Sequence, residues 1–428
     1  MLSPCGGCAP LPATRVSGAA PQEREGLIIT MTDRVSLRSR RRVSVVFAGH
    51  GAVVGAFATR IPWLQQHLGL SDSTLGVALL APALGSFVAM PFTSRLVHRL
   101  GNSRALRCLF PLWCGSLVLP ALAPNLPALC LALGIFGATS GMTDVLMNAQ
   151  GVLVEQRLRR PVIPSLHGMW AVGGLVSSGC GALAAGAGID ARLHFAVTSA
   201  VLAGIGLLAT RHLLEADPTE ARQPPPRFAL PPLSTLPLGI LGFCAVFAEG
   251  ASGNWSAVYL TSTANAPEGI AALSYTGLSF TLALARLASG FIVTRLGPVR
   301  TVRLGGGIAA LGGTLVVLGR TPPVVIAGFA LIGTGVAAVL PLTFSAAGGH
   351  GGDPSRNIAG VATITYTSNL LAPAVTGAVA DATSLPAAFA LVTAFATCPL
   401  FLASTLAKPA QSPGGERQSA PQRADLPS

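Results

Sequence analysis

Charge is scarce in this sequence. Only 10% of its 428 residues are Asp, Glu, Lys or Arg, against about 25% in soluble domains. Hydrophobic residues make up 51%, and mean hydropathy is +0.61. A water-soluble protein of this length cannot cover its surface with so few charges. Acidic side chains are the scarcer kind, 16 against 28 basic ones, which leaves a net charge of +12. The arginines stand in short clusters between apolar blocks and form no dense basic domain, so nucleic acid is not an expected partner. Catalytic signatures are missing as well. No G-x-x-x-x-G-K-[ST] phosphate loop is present, which argues against direct ATP drive. Neither H-E-x-x-H nor G-x-S-x-G occurs, so an enzyme is not expected and neither is a cofactor or a metal. Of eight cysteines, Cys5 and Cys8 form a lone C-x-x-C without a second pair, weak as a metal signal. Cys108, Cys114, Cys130, Cys180, Cys244 and Cys398 lie in or beside apolar blocks and read as small buried residues. The first 42 residues lack the compact apolar core of a secretory leader. Met31, just before the basic run Arg38, Arg40, Arg41 and Arg42, reads as an alternative start.

What is present is a series of continuous apolar blocks, each about 20 residues and long enough to cross ~30 Å of hydrocarbon. Lipid allows only helices or closed barrels, because backbone groups must pair internally. The blocks are continuous rather than alternating, which predicts helices. Twelve spans are expected, near 43–64, 74–97, 105–123, 126–150, 165–187, 193–211, 236–260, 270–294, 302–319, 322–347, 358–380 and 385–406. They divide into an N-terminal six-helix half (43–211), a proline-rich link (212–235, with Pro224, Pro225 and Pro226) and a C-terminal half (236–406). Residues 1–42 read as a disordered tail and 407–428 as a second polar tail. Most arginines fall in the N-terminal tail, the 95–107, 157–160 and 295–303 loops and the link, whereas the intervening loops hold little beyond Arg192 and Arg320. Arginine and lysine favour the cytoplasmic side, so both termini are expected there, with the protein in the cell membrane.

The two halves repeat. Ser94-Arg-Leu-Val-His98-Arg99-Leu-Gly101-Asn-Ser-Arg104 aligns with Gly290-Phe-Ile-Val-Thr294-Arg295-Leu-Gly297-Pro-Val-Arg300 at an offset of 196. The same offset sets Gly137 on Gly333 and Gly181 on Gly377, and an offset of 195 sets Gly55 on Gly250. Two parallel six-helix repeats are a transporter architecture, with the binding site at their interface near mid-membrane.

The 94–104 loop resembles the G-x-x-x-D-R-x-G-R-R motif that major facilitator proteins carry between their second and third helices. Arg99, Gly101 and Arg104 fit the pattern. Ser94 replaces its first glycine and His98 its acid. The second copy keeps Gly290, Arg295, Gly297 and Arg300 but has Thr294 at the acid. The resemblance implies an all-α membrane protein of the major facilitator fold, and these residues as a gating loop. Gly55-x-x-x-Thr59-Arg60-Ile61-Pro62, Asp144-x-x-x-Asn148-Ala-Gln150, Ser165-x-His167-Gly168-x-Trp170 and Glu249-Gly250-Ala251-x-x-Asn254-Trp255-Ser256 are similar to a bacterial branch allied to fucose/proton symporters. Asn254 stands where that branch has an aspartate.

Charges inside a membrane core cost about 2.5–3.5 kcal/mol on insertion scales and face a cavity or a partner. Glu249 falls near the middle of the seventh span, and Asp144 lies ~9 Å to the cytoplasmic side of the middle of the fourth. Burial and a nearby cation act oppositely on a carboxyl's hold on its proton. Glu249 is therefore the leading proton-coupling candidate, with Asp144 and Arg286 beside it. The competing reading is a structural Glu249–Arg286 ion pair. Arg60, Asn148, Trp170, Asn254, Trp255, Tyr366 and Asn369 are cavity candidates, offering stacking faces and hydrogen bonds to a hydroxylated solute, each weighed against plain packing. His167 reads as either a pH-responsive gate or a packed histidine. Pro341 and Pro373 are expected to kink the tenth and eleventh helices.

The expected function is a proton-linked secondary transporter of a small polar or sugar-like solute, with membrane lipid its surroundings and no obligate protein partner. An exporter of drug-like or secondary-metabolite compounds is the alternative within the class. A non-transporting membrane sensor is the alternative outside it. A sensor would be expected to carry a soluble signalling domain, and the two polar tails are short for one.

Overall fold

Each break within a long apolar span has a proline just beyond it. A computed structural model describes residues 21–158, 162–215, 233–350 and 354–407, and sixteen α-helices occupy them with no strand among the described residues. The first span is α1 (Pro21–Ala58) followed by α2 (Ile61–Leu68), the second α3 (Asp72–Ala78) and α4 (Ala81–Leu100), and the third α5 (Asn102–Ser116) and α6 (Leu119–Leu122). Then come α7 (Leu126–Leu158), α8 (Ile163–Gly186), α9 (Ala191–Ala209), α10 (Leu236–Thr263), α11 (Glu268–Leu296) and α12 (Pro298–Leu318). The tenth span is split into α13 (Pro322–Val336) and α14 (Val339–Gly348), and α15 (Pro354–Ala382) and α16 (Leu385–Leu402) complete the set. A proline has no N–H to give the carbonyl four residues earlier. Pro62, Pro82, Pro120 and Pro341 stand four or five residues beyond the last residues of α1, α3, α5 and α13, at Ala58, Ala78, Ser116 and Val336. The break expected at Pro341 is thus present, whereas α15 runs through Pro373 without one.

Among the described residues eleven spans are long and apolar enough to cross a bilayer, from Leu37–Leu68 to Leu385–Leu406. The twelfth, α15, has 29 residues, length enough at 1.5 Å each. It carries a polar run, Thr363, Thr365, Tyr366, Thr367, Ser368 and Asn369, between more apolar ends. That composition suits a helix facing water or solute on one side. The protein is therefore a twelve-helix, all-α membrane protein. Helix α1 is already helical from Pro21, so residues 21–42 of the expected disordered tail form helix. Residues 1–20, 216–232 and 408–428 lie outside the described residues, and with them Cys5, Cys8 and most of the link.

Each half packs by the same rule. In the N-terminal half α1 lies on α8, α4 on α7 and α5 on α9; in the C-terminal half α10 lies on α15, α11 on α13 and α12 on α16. The glycines that allow these approaches repeat together with their partners. A Cβ on Gly137 would meet Pro82, and one on Gly333 would meet Leu278, so contact and partner both shift by 196. Gly181 meets Thr59 and Gly377 meets Trp255, again a shift of 196 for both. Gly55 meets Gly174 and Gly250 meets Asn369, both shifted by 195. The turn between the second and third spans has Gly101 at φ 77°, ψ 157°, and its counterpart Gly297 has φ 77°, ψ 163°. That backbone region is open essentially to glycine alone. The repeat is pseudo-symmetric down to single contacts.

The halves touch along α8–α11 and α3–α15. Close contacts concentrate at one end. Gly186 and Gly269 bring α8 and α11 together, and Gly76 lies against the Pro373 carbonyl of α15. Ser73 Oγ donates to Asp381 Oδ2 at 2.7 Å, and Arg60 Nη1 to Glu268 Oε2 at 3.4 Å. Beyond the break at Leu79–Leu80, α4 leaves α15 and packs on α7 and α5 instead. The halves are thus most tightly joined at the charge-poor loop end (the closed end), and α8 and α11 stay in contact as far as Gly168 and Leu287.

Candidate functional site

The polar groups of the spans gather in two places. Away from the closed end, α10 supplies Glu249 and α11 supplies Arg286. One guanidinium nitrogen, Arg286 Nη2, donates to Glu249 Oε2 at 2.7 Å and Oε1 at 2.9 Å. Their side chains are 28% and 32% exposed, so the pair borders open space rather than sealed core. Tyr275 of α11 lies within electrostatic range of Glu249. Across the interface, α7 supplies Asp144 and Asn148 one turn apart. Asn148 Nδ2 donates to Asp144 Oδ1 at 3.2 Å and to its carbonyl at 2.9 Å. His167 of α8 stands between these groups, within electrostatic range of both Asp144 and Arg286. Tyr366 of α15 is 62% exposed and lies near Asp144. Asn369 of α15 is exposed and sits against Gly250. Trp170, half-buried, donates its indole N–H to His50 Nδ1 at 3.0 Å. The fold therefore brings Asp144, His167, Arg286 with its partner Glu249, and Tyr366 within electrostatic range of one another across the halves, with Asn148 beside Asp144 and Asn369 beside Gly250, while Trp170 packs on α1. Asn254 turns to its own helix, donating to the Gly250 carbonyl at 2.8 Å.

The second place is the closed end. Arg60 is 1% exposed and has three partners: Glu268 Oε2, His194 Nδ1 at 3.4 Å and the Ile189 carbonyl at 3.0 Å. Trp255 is fully buried and donates Nε1 to the Pro373 carbonyl at 3.2 Å. In this conformation neither residue borders open space. Both are part of the seal, and Trp255 packs on Gly377, the glycine that lets α15 approach α3.

The gating-loop residues lie at the arginine-rich end. Arg99, Arg104, Arg295 and Arg300 are exposed and form no ion pair among the described residues. Thr294, at the acid position of the second copy, donates back to the Phe291 carbonyl at 2.7 Å. Both loops thus form tight glycine turns with exposed arginines, and the Glu215 carboxylate lies against Gly101 in the first of them.

Sequence reasoning passed over His50, Tyr275, Glu268 and Asp381. His50 carried a signal, being a titratable side chain inside an apolar span. Glu268 follows Pro267 at a helix start, where an acid is ordinary, and its partner lies 208 residues away. Among the described residues no cluster of three His, Cys, Asp or Glu gathers as a metal site.

A family model described as Major Facilitator Superfamily matches residues 43–356. An uncharacterized transporter of Sinorhizobium fredii is 35% identical over 369 residues, covering 86% of this chain and 97% of that protein. An uncharacterized MFS-type transporter of Yersinia pestis is 31% identical over 362 residues, 84% of this chain and 92% of that one. Among solved structures, a mutant of the nucleoside transporter NupG superposes with a TM-score of 0.69 at 14% identity, covering 86% of this chain and all of that one.

Proposed function

This chain belongs to the major facilitator superfamily and is a multi-pass membrane transporter, and from that premise we propose that it couples protons to the movement of a small polar, sugar-like solute by alternating access. The observation that carries this reading is the Glu249–Arg286 pair, one guanidinium nitrogen on both carboxylate oxygens and both side chains about a third exposed. A carboxylate so placed is stabilised by its cation but remains within reach of water. Protonating it removes the negative partner and leaves Arg286 free to move toward His167 and Asp144 across the interface. Solute binding and proton binding then both act on the same inter-half contacts, as coupling requires. Asn148, Trp170, Tyr366 and Asn369 offer hydrogen bonds and stacking faces suited to a hydroxylated ring, in keeping with the resemblance to fucose/proton symporters.

The halves are taken as residues 43–211 and 236–406, joined by a cytoplasmic link, with both termini cytoplasmic in a bacterial inner membrane. The closed end then faces outward and the cavity opens inward. Cysteines placed at Ser412 and Ser262 should label from the inside and the outside respectively; the reverse would overturn this orientation.

Coupling is tested with Glu249→Gln, which keeps shape and hydrogen bonding but cannot release a proton. In proteoliposomes given a panel of labelled hexoses and deoxyhexoses, this variant should still exchange solute across the bilayer at equal concentration. It should fail to accumulate solute against a gradient under an imposed pH difference. Full gradient-driven accumulation would sink the assignment. If the variant folds poorly, the double change Glu249→Gln with Arg286→Gln removes the stranded cation; restored folding without restored coupling assigns Glu249 both roles.

A further inference from the structure

His50 lies at the centre of the N-terminal half and is 5% exposed. Its ring stacks on Trp113 at a centroid distance of 5.0 Å and 26° between planes. Trp113 is fully buried and in turn packs on Phe136 at 4.4 Å. Both ring nitrogens of His50 are engaged. Nδ1 faces the indole N–H of Trp170 at 3.0 Å, and Nε2 faces the carbonyl and hydroxyl of Ser140 at 3.4 Å. An indole N–H can only donate. Nδ1 must therefore be an unprotonated acceptor, which places the ring proton on Nε2, directed at the Ser140 carbonyl. His50 is neutral in one defined tautomer whenever this contact exists. The titratable group facing it is His167, one turn before Trp170 on α8, with Asp144 beyond. The backbone beneath is equally fixed. Gly51 lets α1 touch the Trp170 carbonyl, and Gly173 touches Ala48.

From this geometry we infer that His50 is a positioning residue, holding the half-buried Trp170 ring as the aromatic wall of the inter-half cavity. It stiffens a platform that would otherwise turn about two side-chain torsions. A flat, rigid indole face at this place selects a ring-shaped solute with an apolar face, and it binds such a ring by stacking. This inference rests on the transport reading for its solute and on the hydrogen bond alone for the positioning.

The test separates these two parts. Protein labelled with 5-fluorotryptophan gives one 19F resonance for each of four tryptophans, and Trp170→Phe identifies the Trp170 signal. His50→Leu removes both ring contacts. His50→Asn keeps an acceptor near Nδ1, and His50→Gln keeps a donor near Nε2. The Trp170 resonance should shift or broaden in His50→Leu and His50→Gln and return toward the parent position in His50→Asn. Trp170 is half-buried, so as a cavity wall it should be broadened by a water-soluble nitroxide in the parent protein, and an unbroadened signal overturns the wall assignment. For whichever hexose or deoxyhexose the parent accumulates, the half-saturation concentration should rise roughly three- to tenfold in His50→Leu with the maximal rate within twofold. His50→Asn should recover most of that rise. An unchanged Trp170 resonance in His50→Leu overturns the positioning role, and so does a His50→Asn protein that behaves like His50→Gln. If the leucine variant does not fold, the Asn–Gln contrast decides. A shifted resonance with unchanged half-saturation overturns Trp170 as the wall. Absence of transport for the whole panel counts against the sugar-like solute, while the 19F result stands on its own.

Discussion

Among the described residues two arginine–carboxylate pairs join the spans, and they sit in different settings. Arg60–Glu268 joins the two halves at the closed end, with Arg60 1% exposed and also held by His194 and the Ile189 carbonyl. Arg286–Glu249 lies within the C-terminal half, both partners about a third exposed, at the edge of the cavity. The two carboxylates are about equally exposed, so the difference lies in the arginines: removing Glu268 leaves the buried Arg60 without its countercharge, whereas Arg286 is within reach of water. A hydrated pair can exchange protons with little structural penalty. The first setting suits a latch whose breakage accompanies opening toward the other side, and the second suits a coupling element. The same residue types are set apart by the depth of the arginine and by whether they bridge the two halves.

The largest expected effect comes from wedging the closed end. A Cβ on Gly377 would lie 2.5 Å from the Asp72 carbonyl, 2.9 Å from Trp255 Cζ2 and 3.1 Å from Gly76 Cα. Gly377→Leu therefore cannot be accommodated while α3 and α15 stay in contact. Overpacking of this kind costs about 1–3 kcal/mol, and 2 kcal/mol corresponds to roughly thirtyfold in the ratio of closed to opened states. Cysteines placed at Ser73 and Asp381, whose side chains meet at 2.7 Å, report closure by disulfide formation. Their cross-linking should slow by about that factor in Gly377→Leu. Gly290→Leu, at a position with nothing within 4 Å, should leave it unchanged. Equal cross-linking in both would show that the closed end is not held by this packing, and the contrast between the two ends would lose its basis.

Much of the architecture is legible in the sequence. Apolar runs place the spans within a few residues, since span length is set by bilayer thickness. The helix breaks are less legible: among Pro62, Pro82, Pro120 and Pro341 only Pro341 is singled out as a kink, and Pro91, Pro111, Pro373 and Pro399 lie within unbroken helices. The offset of 196 not only aligns motifs but aligns contact pairs, Gly137–Pro82 with Gly333–Leu278 and Gly181–Thr59 with Gly377–Trp255. The site is less legible. Glu249 with Arg286 was one of two readings of the intramembrane charges, and the pair is formed. Asp144 with Asn148 follows from their spacing of four on one helix face. His50 and Glu268 gain their meaning from partners 120 and 208 residues away, and helix rotation sets such contacts. A single sequence fixes which face of a span is polar but not which other helix that face meets. For Arg60 and Trp255 the corresponding positions are readable, yet their burial depends on which side of the protein is closed.

The smaller effect separates the two pairs directly. Glu268→Gln keeps an oxygen acceptor for Arg60 but removes its countercharge. Breaking a fully buried ion pair costs about 3–5 kcal/mol. Here Glu268 is 32% exposed and the separation is 3.4 Å, so solvent already screens the attraction. Arg60 also retains the Ile189 carbonyl and His194. A loss of about 1 kcal/mol is expected, which is roughly fivefold in the closed-to-open ratio. The Ser73–Asp381 cysteine pair should accordingly cross-link about fivefold more slowly in Glu268→Gln, while accumulation driven by a pH gradient persists. Glu249→Gln should do the opposite, abolishing accumulation while closure proceeds at the parent rate. The two substitutions carry the same chemical change, carboxylate to amide, so any difference between them belongs to place. If Glu249→Gln slowed closure as much as Glu268→Gln, both pairs would be latches, and the coupling proton would have to be sought at Asp144.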